Sequence, residues 1–74
     1  MLLNTDELKT MLRGIYEQAL EVEHKALEDG DAELAGVALQ QQHKAMKLMK
    51  QSGVWEASWK EPTPLGTAVR SVHR

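Results

Sequence analysis

The sequence predicts an all-α fold: an antiparallel two-helix hairpin with an extended C-terminal tail, self-assembling into an oligomer. Three observations carry this expectation. Apolar residues recur at alternating steps of four and three through two long stretches, the spacing of a helical seam. Between them lies Glu28-Asp29-Gly30-Asp31, a connection too short for anything but an antiparallel pair. The chain has 74 residues and no cysteine, so it is one small domain without disulfides or thiolate metal sites. A chain of this size buries a modest share of its surface, and self-association is its remaining route to stability.

The first helix begins at Asn4, a cap residue, with Glu7 three positions on as in a capping box. Leu3 and Leu8 take the staple positions around that cap, and Asp6 and Glu7 favour the positive end of the helix dipole. One seam then runs through Leu8, Leu12, Ile15, Ala19, Val22 and Ala26. A second strip, Tyr16, Leu20 and Leu27, lies beside it, and together they span an arc of about 160°, wider than one packing partner needs. In the turn, Gly30 supplies positive φ and Asp31 caps the next helix.

The second helix is expected from about Ala32 to Ser52. It carries two adjacent seams: Leu34, Ala38, Gln41, Ala45 and Leu48, then Ala35, Leu39, Gln42, Met46 and Met49. Two seams on each helix mean two partners, the other helix and another chain. The expected contacts between subunits are Tyr16, Leu20, Leu27, Leu39, Met46, Met49 and Trp55. Gln41 and Gln42 interrupt the seams; they are either buried with hydrogen-bond partners that set register, or exposed. Gly53 ends the helix, with Val54 placed to pack back on it. The hairpin thus occupies residues 1–54.

Residues 55–74 form the aromatic turn and the tail. Val54 to Trp59 make either one more helical turn or a folded-back loop. Pro62-Thr63-Pro64 imposes an extended stretch. Leu65, Val69, Arg70 and Arg74 lie on the tail, which ends basic and is a candidate handle for a partner. Tryptophan is enriched at binding hot spots, so one of Trp55 and Trp59 is assigned to a subunit contact and the other to covering a thin core.

Charge is uneven. Residues 1–33 hold nine acids and three Lys or Arg, a net −6; residues 34–74 hold two acids and six Lys or Arg, a net +4. The halves either attract within one hairpin or face other molecules, with a polyanion on the basic side. His43, Lys44, Lys47 and Lys50 gather on the outward face of the second helix and are the candidate nucleic-acid-binding residues.

Catalysis is not expected. No nucleophile has an evident base, there is no glycine-rich phosphate loop, and a two-helix hairpin offers no cleft. Glu17, Glu21 and His24 are spaced one turn apart, as metal ligands can be, but the wheel turns Glu17 and His24 outward, so no metal or cofactor is expected. No apolar run approaches the roughly 20 residues of a membrane span, and Met1 to Asn4 lacks the basic region and apolar core of a signal peptide. A cytoplasmic location is the expectation.

The run Leu27-Glu28-Asp29-Gly30-Asp31-Ala32 and the helix end Met46-Lys47-Leu48-Met49-Lys50-Gln51-Ser52-Gly53-Val54 resemble the short small terminase subunits of podophages. Those proteins read as a leucine-rich helix, an acidic-Gly-acidic-Ala turn, a second helix and a Leu-Lys-polar-polar-Gly-apolar ending. The likeness covers about residues 12–54. It implies a non-catalytic DNA-packaging subunit that forms a ring, binds viral DNA and regulates a large motor and nuclease subunit in the cytoplasm of an infected bacterium. The tail would be the handle for that motor. The sequence departs from the family in having no clear helix-turn-helix reader, which leaves DNA contact to the lysines or the tail. The hairpin also resembles plasmid-copy-number regulators of the Rop type. That likeness implies the alternative, a dimeric four-helix-bundle adaptor or inhibitor that binds RNA or a host protein through Gln41, Gln42, His43 and Lys44.

Overall fold

The structure, a computed structural model, describes residues 4–65. Its regular structure over those residues is all helical: α1 spans Thr5–Glu28 and α2 spans Ala32–Gln51, packed antiparallel against each other. Leu3, expected in the staple, lies outside the described residues, as do Val69, Arg70 and Arg74 of the tail.

Local chemistry sets each helix end. The Asn4 side chain accepts from the Glu7 amide at 2.8 Å, and the Glu7 carboxylate accepts from the Asn4 amide at 3.2 Å, a complete capping box. α1 stops because Gly30 takes φ 73°. Its amide then donates to Leu27 O, and the Asp31 amide donates to Ala26 O at 2.8 Å. Asp31 at once starts α2, its carboxylate accepting from the Leu34 amide at 3.0 Å. α2 stops the same way. Gly53 takes φ 75°, its amide donates to Lys50 O, and the Val54 amide donates to Met49 O at 2.9 Å. Both ends are thus the 6→1 and 5→2 pair of bonds that a left-handed residue after a helix permits.

The core tapers. Near the turn it is made of Ala19, Ala26, Ala35 and Ala38 with Leu39, small side chains that let the helices approach. At the open end Leu12, Tyr16, Ala45, Met49 and Val54 form a thicker cluster. Leu8, Leu20, Trp55 and Trp59 pack against it from outside. Val54 is the apolar residue expected to fold back on its helix, and it is buried there.

The division of the seams differs from the sequence expectation. Ile15 and Val22, assigned to the internal seam, are exposed, as are Leu34, Gln41 and Leu48 of α2. Tyr16, Leu39 and Met49, assigned to contacts between subunits, are buried in the hairpin's own interior. The contact line between the helices falls between the two predicted strips, because a broad apolar arc offers both. Tyr16 wins the inward position for two reasons: it packs in one cluster with the small Ala45, and its hydroxyl donates to Lys60 O at 3.2 Å.

Candidate assembly and nucleic-acid interface

The hairpin has two broad sides, and the chain after α2 covers one of them. Residues 54–65 form a strap rather than another helical turn, which settles the two possibilities for Val54 to Trp59 in favour of a folded-back loop. The strap is held by an aromatic ladder. Tyr16 and Trp55 meet edge to face at 5.8 Å between centroids, and Trp55 and Trp59 do so at 5.3 Å. Cations clamp the ladder. The Arg13 guanidinium lies 4.3 Å over the Trp59 ring and 5.3 Å over Tyr16, and Lys9 and Lys50 approach Trp59 and Trp55. Arg13 Nε also donates to Glu17, while its buried Nη1 has no hydrogen-bond acceptor among the described residues, and the guanidinium as a whole is held by the two rings.

The acids of the second half have a defined place. Glu56 and Glu61 are the only acids after Glu33, and both sit on the strap. Glu56 pairs with Lys9 of α1, and Glu61 pairs with Lys50 of α2 at 2.9 Å. Each pair is well exposed, and such a pair contributes about 0–1 kcal/mol; together they set where the strap lies more than how tightly it holds. Burial pushes the Tyr16 hydroxyl above its ordinary value of 10.0, against the opposing pull of Arg13 and with help from Glu23 and Glu61.

Register within the hairpin comes from Gln42. This residue is buried, and its amide donates to Glu23 at 2.7 Å and to Ala19 O at 3.4 Å. Gln41 is exposed. The two neighbouring glutamines therefore divide the two possible roles between them.

The four candidate nucleic-acid residues are not alike. His43 is half-buried, with Nε2 2.7 Å from Thr63 O, and Lys50 is engaged by Glu61. Lys44 and Lys47 are exposed and have no ion partner among the described residues. Of the remaining expected subunit contacts, Leu20, Met46 and Trp55 are half-buried, Leu20 and Trp55 on the strap side, and Leu27 is exposed. Leu65 is exposed at the end of the strap. Glu17, Glu21 and His24 are exposed, and no three metal-ligating side chains gather among the described residues. No described helix is long and apolar enough to cross a membrane.

No described residue covers the opposite side, the bare side of the hairpin. There Ile15, Gln18, Val22, Leu34, Val37 and Gln41 line a shallow apolar groove of about 250 Å³ between the helices. Sequence reasoning missed this surface because it placed Ile15, Val22 and Leu34 in the internal seam. Comparison of the chain with protein-family models, curated proteins and solved structures returns no match.

Proposed function

We propose that the chain is a non-catalytic DNA-packaging subunit of the small terminase kind. In this reading it assembles into a ring of copies, holds viral DNA on a basic edge and regulates a large motor and nuclease subunit. The observation that carries it is the contrast between a strapped side and an apolar side that no described residue covers. A chain this small gains stability by covering such a surface with more protein.

The positions of Gly30 and Gly53 support the resemblance. Both occupy left-handed backbone, at the points where the acidic-Gly-acidic turn and the polar-polar-Gly-apolar ending put a helix stop. Lys44 and Lys47 are the cations of the basic face left over by the strap, and a ring multiplies them into a surface suited to phosphates. The tail, including Leu65, Val69, Arg70 and Arg74, serves the motor subunit. Location in the cytoplasm of an infected bacterium belongs to the same reading.

A second reading draws on the same bare side. Its apolar groove is shared by both helices, as in a dimeric four-helix bundle, and such a bundle would act as an adaptor or inhibitor on RNA or a host protein.

Duplex DNA binding measured against salt, alongside the mass of the assembly, tests the proposal. The expected result is binding by a multi-copy ring, with a log K against log salt slope that becomes shallower by about 0.9 for each phosphate that Lys47→Glu no longer neutralises. An unchanged slope moves DNA binding off this edge. A two-copy species that ignores duplex DNA favours the second reading.

A further inference from the structure

Among the described residues, six of the eight large apolar side chains that stand exposed lie on the bare side: Met11, Ile15, Val22, Leu34, Val37 and Leu48. They are a patch, not scattered residues, and a patch of this kind marks a contact surface.

Their order along the helices says more. On α1 the row reads Met11, Ile15, Gln18, Val22, Lys25; on α2 it reads Leu34, Val37, Gln41, Lys44, Leu48. The steps are four and three in alternation, so each row stays on one side of its helix. Gln42 bonds the carbonyl of Ala19, which fixes the relative height of the two helices. Counting outward from that level in an antiparallel pair, the rows mirror each other. Met11 lies level with Leu48, Ile15 with Lys44, Gln18 with Gln41, Val22 with Val37 and Lys25 with Leu34, each with the same offset of about half a turn.

We propose that the bare side docks on the same side of a second copy about a two-fold axis parallel to the helices, with α1 of each chain lying on α2 of the other. That operation preserves height. Val22 then meets the partner's Val37, Met11 meets the partner's Leu48, and Gln18 meets the partner's Gln41, amide to amide. All neighbouring helices are antiparallel, as in an up-down four-helix bundle.

Charge selects this arrangement over its rival. Beside the row, α1 carries Glu21, while Glu17 is taken by Arg13 on the strap side; the outward face of α2 carries Lys44 and Lys47. Laying α1 on the partner's α2 sets unlike charges side by side, and Lys25 comes near the partner's Glu33. Laying α1 on the partner's α1 brings Glu21 toward the partner's Glu21 and leaves Lys44 without an acid opposite. Lys25 and Lys44 lay their aliphatic stems along the row and leave the ammonium at the rim. Size agrees as well. Helices of 24 and 20 residues, at about 1.5 Å per residue and about 10 Å in diameter each, present side by side a face on the order of the ~800 Å² per partner of a stable interface. The inference rests on the self-association in the proposed function and on nothing about DNA.

The chain has no cysteine, so single-cysteine variants of the full chain report contacts cleanly. Val22→Cys and Val37→Cys proteins are mixed, with no nucleic acid present, and oxidised gently. Both positions are exposed, and circular dichroism checks that each variant keeps its helices. The expected product is a mixed disulfide joining one chain of each kind, well in excess of either self-linked dimer. Met11→Cys mixed with Val37→Cys, several turns out of level, stays unlinked. Predominant self-linking of Val22→Cys would place α1 on α1 and overturn the arrangement, as would no linking in any mixture. A mixed disulfide formed by a protein that ignores DNA would leave the inference standing and remove only the packaging reading.

Discussion

The two sides of the hairpin are built from the same helices and solve opposite problems. The strap side is heterogeneous: an aromatic ladder, three cations, two ion pairs and a tyrosine bonded to a backbone carbonyl. Its parts come from three segments distant in sequence, and they fit only each other. The bare side is repetitive: two rows of aliphatic residues with glutamine at the centre. Its parts fit a copy of themselves. A side closed by its own chain is idiosyncratic, whereas a side that awaits another copy is regular, and the difference separates fold-holding residues from assembly residues.

Substitutions should break the comparison cleanly. The largest effect falls inside. Met49 is fully buried in the open-end cluster, and Met49→Ala should cost about 2–5 kcal/mol, enough to unfold much of so small a domain in a thermal melt. Gln42→Ala removes the hydrogen bond to the Glu23 carboxylate and the second donor to the Ala19 carbonyl, which its own helix still engages, at about 1–3 kcal/mol by chemical denaturation. Trp59→Ala removes the Arg13 and Lys9 stacking and one edge-to-face pair, about 1–3 kcal/mol. Hydrogen exchange should show that change as faster exchange at the strap amides of Val54, Trp55 and Trp59, with the helix centres unaltered.

The smallest effect is a pH dependence. The folded-state pKa of Tyr16 is raised above 10.0, so its contribution is fully present below that value and is lost as pH rises through the higher folded value. Tyr16→Phe should flatten the alkaline limb of a stability-against-pH curve.

What was legible in the sequence was what is local. Asn4 with Glu7, Asp29-Gly30-Asp31 and Ser52-Gly53-Val54 act within a few residues, and the chain folds there as those residues dictate. The direction of the internal seam was not legible, because an apolar arc wide enough for two partners does not say which strip meets which. The strap was also closed to periodicity. It has none, and its anchors pair Lys9 with Glu56 and Tyr16 with Lys60 across most of the chain. One clue was present: Glu56 and Glu61, the sole acids of a basic half, answer cations on the two helices. The mirrored rows were readable too, but only once Gln42 had fixed the level of one helix against the other.

A second copy on the bare side doubles the mass of the unaltered chain in solution, which light scattering or native mass spectrometry reads without any substitution. The expected mass is twice the 8.3 kDa of one chain, or an even multiple where such pairs repeat in a ring. Val22→Asp should lower the mass to that of a single folded chain, while Leu20→Asp, on the strap side, should not. A single-chain mass for the unaltered protein, or an odd number of copies, would contradict the pairing of bare sides.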